Sequence, residues 1–249
     1  MLSDDEIDRY ARHLVLKEIG GAGQMKLKAA KVAIVGMGGI GSPAALYLAA
    51  AGVGTLGLID DDVVSLSNLQ RQVLYATAEV GAPKAEAAAA RLKAINPHTD
   101  HIEHHIRLDT DNAADILSQY DVVLDGCDNF ETRLLVNRVC HDLKKPLVSA
   151  AIGRWSGQLS VFDGSPCYQC LVPEIPPDAD TCERVGVVGA LAGVMGSLAA
   201  LEAIKLITGA GEPLTGKLLI FDGLTMVSRI VALPPDPACP VCGHAHSVP

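Results

Sequence analysis

Large rings are scarce in this sequence: aromatic residues make up 4% of 249, with one Trp and three Phe, although 49% is hydrophobic. Ala, Val, Leu and Ile must therefore build the core, which suits a sheet covered by closely approaching helices. Positive charge is also short, with 20 Lys and Arg against 29 Asp and Glu and a formal net charge of −9. That balance excludes a broad surface for nucleic-acid phosphates, so any nucleotide is expected at a discrete site. The N-terminus lacks a basic segment followed by an apolar stretch, hence a secretory signal, and the cytoplasm is the expected compartment. Residues 185–201 are apolar, but the run is short, rich in Gly and Ala, and followed by Glu202 and Lys205. It predicts a buried or interface helix and no membrane span. Seven cysteines without an export signal point to metal binding, catalysis or burial rather than a disulfide framework.

What is present is a regular alternation of strand and helix patterns. Ser3 and Glu6 form a capping box for a helix expected to carry Arg9 and Arg12. Short β-branched runs at 31–35 and 54–60 flank a helix at 42–51, a βαβ unit that implies parallel strands. The alternation continues through a helix at 83–95, a polar strand at 101–106 and a helix at 113–119. An inner strand at 122–124, a helix at 131–143 and a strand at 147–151 follow. The expected class is α/β, a doubly wound, mostly parallel, Rossmann-like sheet. After Trp155, strands at 157–162, 217–221 and 227–233 predict an antiparallel extension of the same sheet carrying a partner-binding surface. One domain is expected over 1–249, with a nucleotide-binding half at 1–153 and a partner-binding half at 154–249.

Gly36, Gly38, Gly39 and Gly41 follow the first strand and open a helix, so backbone N–H groups can face an anionic phosphate at its positive end. Asp60 ends the second strand, the usual place for a carboxylate that holds ribose hydroxyls. These features alone fit an NAD enzyme, or a tight strand-to-helix turn with no ligand. Asn68, Arg71 and Gln72 come shortly afterwards, where a dinucleotide enzyme needs no cation but a triphosphate does. Lys84, beside Pro83, falls in the first turn of a helix, so its ammonium and the helix dipole can act on the same phosphates. Asp128, just past the inner strand, lies where open α/β sheets bind ligands and can hold magnesium. The plainer readings are solvated Arg12, Arg71 and Lys84, a helix-capping Asp128, and an Asp62 that polarises a turn.

Cys167 and Cys170, with Cys239 and Cys242, form two CxxC knuckles, the pattern that assembles a closed structural zinc site. Redox chemistry by the two pairs is the competing reading, and His244 and His246 are near enough to substitute as ligands. His98, His101, His104 and His105 lack acidic or cysteine partners at ligand spacing and are expected to be solvated. Cys127 and Cys140 read as small buried side chains. Cys182 follows a loop that proline and charge should expose.

The arginine helix at 9–12, the GxGGxG turn, SNLQRQ within 60–72, Gly81-x-Pro83-Lys84, Asp125 to Asn129 and the paired cysteines together resemble the MoeB/ThiF/HesA family, bacterial relatives of ubiquitin-activating enzymes. The resemblance spans nearly the whole chain. It implies an ATP-dependent adenylyltransferase in which the four glycines frame phosphates, Asp60 binds ribose, and Asn68, Arg71 and Lys84 contact phosphate. It also implies that Asp128 serves Mg2+ and that Arg12 reaches the neighbouring subunit's nucleotide in a homodimer; Asp62, Gln72 and Asn129, in the same stretches, are further candidates for nucleotide binding. Zn2+ sits on the four cysteines, one per chain, and Cys182 matches a position where some members bond covalently to their carrier.

The implied substrate is the C-terminal Gly-Gly of a ubiquitin-like sulfur-carrier protein of the MoaD or ThiS kind, serving molybdopterin or thiamin synthesis. Its carboxylate attacks the α-phosphate of ATP, giving an acyl adenylate and pyrophosphate without a side-chain nucleophile. A separate sulfur donor is expected, since the chain ends just past the second knuckle. The rivals are a tRNA-carboxylate adenylating enzyme of the same fold, an NAD-dependent oxidoreductase with structural zinc, and a non-catalytic scaffold for a ubiquitin-like tail.

Overall fold

The computed structural model describes residues 1–175 and 186–243. Among the described residues, eight strands lie in one sheet of order β3-β2-β1-β4-β5-β6-β7-β8. The parallel part comprises β1 (Lys31–Val35), β2 (Thr55–Ile59), β3 (Asp100–His104), β4 (Val122–Asp125) and β5 (Leu147–Gly153). The antiparallel extension comprises β6 (Ser156–Phe162), β7 (Lys217–Asp222) and β8 (Val227–Ala232). The expected mostly parallel sheet with its antiparallel extension is therefore present. β4 is buried along its length, as a near-continuous apolar strand covered on both faces must be.

Helices α1 (Asp4–Arg9), α2 (Ala11–Leu14) and α3 (Gly20–Ala29) precede β1. One face of the sheet is packed by α4 (Gly41–Ala50), α5 (Lys84–Ile95) and the long α9 (Gly189–Thr208). The other face is packed by α6 (Ala113–Leu117), α7 (Phe130–Asp142) and the single-turn α8 (Tyr168–Leu171). Small residues permit close layers: a Cβ on Gly196 of α9 would collide with Pro43 and the Ile40 carbonyl at α4. α9 is long and apolar enough to cross a membrane. Here Leu191, Met195, Ala199 and Ala203 are buried in the core beside α4 and the sheet.

Two local expectations are corrected. Arg9 and Arg12 do not share a helix, because the chain breaks at Tyr10 (φ −97°, ψ 13°). Tyr10 is buried, and its hydroxyl accepts a 2.8 Å hydrogen bond from Asn96 Nδ2, so core packing overrides helix continuity. The histidines are not uniformly solvated. His104 Nε2 lies 2.8 Å from the Tyr120 hydroxyl and His101 Nε2 lies 3.0 Å from Thr99 Oγ1, and burial lowers both pKa values.

Candidate active site

Strand order reverses between β1 and β4, and the C-terminal ends of β1, β2 and β4 open there onto a cleft of about 700 Å3. The glycine turn forms one wall. Gly36 has φ +87°, and a Cβ there would stand 3.1 Å from the Cys127 backbone. Gly36, Gly38 and Gly39 line the cleft, whereas Gly41 does not. A Cβ on Gly41 would collide with the Gly36 carbonyl, so Gly41 serves the close packing that lets the turn enter α4. Tyr75 donates its hydroxyl to Met37 O (2.9 Å), fixing the turn from below.

Asp60 accepts from Met37 N (2.7 Å) through one oxygen and from Asp62 N (2.9 Å) through the other. Burial pushes its pKa up, while Lys84 pulls it down. Lys84 is 4% exposed, with Nζ 2.7 Å from Asp62 Oδ2 and 3.8 Å from Asp60 Oδ1. It is the first residue of α5, and Pro83 takes the N-cap position.

Arg71 and Gln72 both donate backbone N–H groups to Asn68 O (3.0 Å), which turns their side chains into the cleft. Gln72 is buried, and its Oε1 has no partner, an acceptor left for something that enters the cleft. Asn68 and Arg12 do not line the cleft, and Arg12 is exposed. Asp128 does line it and is exposed. Asn129 caps α7, its Oδ1 accepting from Thr132 N at 2.8 Å, so one of its polar atoms is committed to structure.

Sequence reasoning missed the buried pair beneath Asp128. Asp125, 1% exposed, is bonded to Arg133 Nη1 (3.0 Å) and Ser149 Oγ (3.1 Å). Arg133 also donates to the Cys127 and Ala150 carbonyls. The available signal was a carboxylate ending an otherwise apolar strand, which cannot be buried without a cation. Burial, and after it the Asp125 charge, push the Cys127 thiol far up, so Cys127 is a neutral hydrogen-bond donor there.

The four knuckle sulfurs lie within 4.8 Å of one another, with Cys167–Cys239 at 3.6 Å and Cys170–Cys242 at 3.3 Å. A tetrahedral zinc with bonds of about 2.3 Å sets thiolates about 3.8 Å apart, so the cluster fits this metal. All six described cysteines are free. Cys182, His244 and His246 lie outside the described residues. From the glycine turn the cleft runs over Gln158 and Ser160 of β6 to Leu171 and Glu174 beside the knuckle.

The chain matches the ThiF family over residues 10–241. It is 46% identical over 248 residues to the sulfur carrier protein adenylyltransferase of Thermus thermophilus, covering 96% of this chain and 92% of that protein. It is 47% identical over 252 residues to the adenylyltransferase and sulfurtransferase MOCS3 of Aedes aegypti, covering 99% of this chain but only 58% of that longer protein. Among solved structures, Escherichia coli MccB with ATP superimposes with a TM-score of 0.81 at 26% identity, over 95% of this chain and 74% of that one.

Proposed function

The chain belongs to the ThiF family, and from that membership and its cleft we propose an ATP-dependent adenylyltransferase that activates the C-terminal Gly-Gly carboxylate of a ubiquitin-like sulfur carrier of the MoaD or ThiS kind. The observation that carries this reading is the continuity of the cleft. It joins an anion-suited glycine turn with Arg71 and Lys84 to a passage over β6. A chain end laid along that passage would bring its terminal carboxylate to the α-phosphate.

Asp60 accepts from ribose hydroxyls, the Gly38 and Gly39 N–H groups of the turn face phosphate, those of Gly36 and Met37 being bonded to Ile59 O and Asp60, and Arg71 and Lys84 neutralise the triphosphate. Gln72 Oε1 accepts from a donor on the nucleotide or its bound water. The tail carboxylate attacks the α-phosphorus, the bond to the β-phosphate oxygen breaks, and pyrophosphate leaves. The chain's work is positioning and charge neutralisation. Magnesium, held by Asp128, neutralises phosphate charge when bound. Zinc on Cys167, Cys170, Cys239 and Cys242 closes the 154–249 half, which receives the carrier, whereas 1–153 receives the nucleotide. β8, an edge strand with every residue exposed, offers Val227 and Ile230 to the carrier.

The working form in this reading is a homodimer. Tyr47, Val73, Val194 and Leu201 form an exposed apolar face around α4 and α9, which a second copy would cover. Free thiols suit the cytoplasm. Molybdopterin or thiamin synthesis is the expected pathway.

The test is pyrophosphate exchange into ATP with and without a purified carrier ending in Gly-Gly. Exchange should require the carrier and vanish when its last glycine is removed. Equal exchange without any carrier would overturn the assignment.

A further inference from the structure

The cysteine knuckle and the Asp128 turn are joined through α7. Asn137, buried on α7, holds the knuckle twice: Oδ1 accepts from Tyr168 N at 2.7 Å, and Nδ2 lies 3.5 Å from Cys167 Sγ. Tyr168, between Cys167 and Cys170, sets its ring 6.0 Å from the guanidinium carbon of Arg133, one helical turn before Asn137. Arg133 then reaches the far end of the link, donating to Cys127 O while pairing with Asp125. Cys127 N donates to the same Asp125 at 3.0 Å.

Asp128 therefore stands between two residues fixed from α7, with Cys127 held by Arg133 and Asp125, and Asn129 held by Thr132. Cys127 also lies against Gly36, at whose Cβ position its backbone is 3.1 Å away. A shift at Cys127 is thus felt by the phosphate turn and by Asp128 together. On the knuckle side, α8 is only four residues long. One helical turn does not persist alone, so its shape depends on the flanking cysteines and on Asn137.

We propose that Arg133 is a positioning residue that conveys the metal-bound state of the cysteine knuckle, through its contacts with Tyr168 and Cys127, to the turn presenting Asp128. The knuckle then acts on magnesium–nucleotide binding as well as on stability. This inference rests on the reading of Asp128 as the magnesium carboxylate. A knuckle that served stability alone would leave nucleotide affinity unchanged in any folded, zinc-loaded variant.

Calorimetric titration of magnesium–ATP and of metal-free AMP into wild type, Tyr168→Leu and Arg133→Lys, each verified to hold zinc, separates the two. Arg133→Lys keeps a charge beside Asp125 but cannot span Asp125, Cys127 and Ala150 together. Both variants should weaken magnesium–ATP binding by about 10- to 100-fold, the range for residues that orient metal ligands, and metal-free AMP, which does not use Asp128, by clearly less. Chelating zinc from wild type should reproduce that loss, and chelation of Tyr168→Leu should add nothing, because the link is already cut. Unchanged magnesium–ATP affinity in both zinc-loaded variants, or equal losses on chelation in wild type and Tyr168→Leu, would overturn the proposal. Should chelation unfold the protein, the zinc-loaded variants decide it. Wild-type magnesium–ATP affinity in Asp128→Ala would instead remove the premise, a failure told apart because it involves neither Tyr168 nor Arg133.

Discussion

Lys84 is a cation almost without access to solvent, and its nearest partner, Asp62, has a side chain 68% exposed. An arriving triphosphate can take Lys84 from Asp62 with little structural change, since Asp62 is readily hydrated. In so buried a place the charge is poorly screened. Lys84→Ala should slow pyrophosphate exchange by roughly 100- to 1,000-fold. It should also lower stability in urea unfolding, because Asp60 then stays buried without its counter-charge. Asp128→Ala is the cleaner variant, because the exposed side chain leaves stability within about 0.5 kcal/mol of wild type. Its exchange rate should fall as far, and normal turnover would remove Asp128 from catalysis.

Asp60 gives a pH dependence. Burial raises its pKa from the ordinary 3.8 against the pull of Lys84. As pH falls through that raised value, the carboxylate loses charge and acceptor capacity. Nucleotide affinity measured across about pH 4 to 7 should then drop at a higher pH than an ordinary Asp would produce. Asp60→Asn should bind nucleotide weakly at every pH and flatten that acid limb. At this same scale, the sequence brought Asp60 and Lys84 to the cleft because one follows a strand and the other opens a helix at the sheet's C-terminal edge, and Arg71 because it closely follows Asp60 in the SNLQRQ run. Arg133 was not, since an Arg within a helix defaults to the surface and only tertiary packing reveals its buried pair.

Among the elements, hydrophobic periodicity located the strands and helices of the sheet to within a few residues. It failed where one side chain's tertiary partner decided the backbone, as at Tyr10, whose bond to Asn96 splits the expected arginine helix. Asn129 shows a related limit, because a cap and a ligand look alike until Thr132 N is seen on its oxygen. The knuckle was legible from its two CxxC spacings, and its proximity of sulfurs yields an element-scale prediction. Metal analysis should find one zinc per chain, and Cys170→Ser should lose the metal and melt at lower temperature, because structural zinc binding is folding free energy. Full occupancy after that substitution would show a different ligand set.

Across the whole molecule, the anchoring of the N-terminal arm bears on how two chains would meet. Tyr10 is held by Asn96, and His13 Nδ1 lies 2.9 Å from Gln24 Oε1, whose amide donates to Ala51 O. Arg12, fixed on both sides by these neighbours, is nevertheless exposed and away from its own chain's cleft. An exposed cation on an anchored segment, outside its own chain's cleft, is what a site shared between two chains requires. Mixing subunits tests it. Arg12→Ala and Asp128→Ala homodimers should each lack pyrophosphate exchange. In the hybrid, one cleft combines an intact Asp128 with an intact Arg12 from the other chain, so about half of wild-type exchange should return if the arginine acts across the interface. If Arg12 acts within its own chain, each cleft of the hybrid lacks one group and exchange stays absent. A verified hybrid dimer without recovered exchange would therefore confine Arg12 to its own subunit.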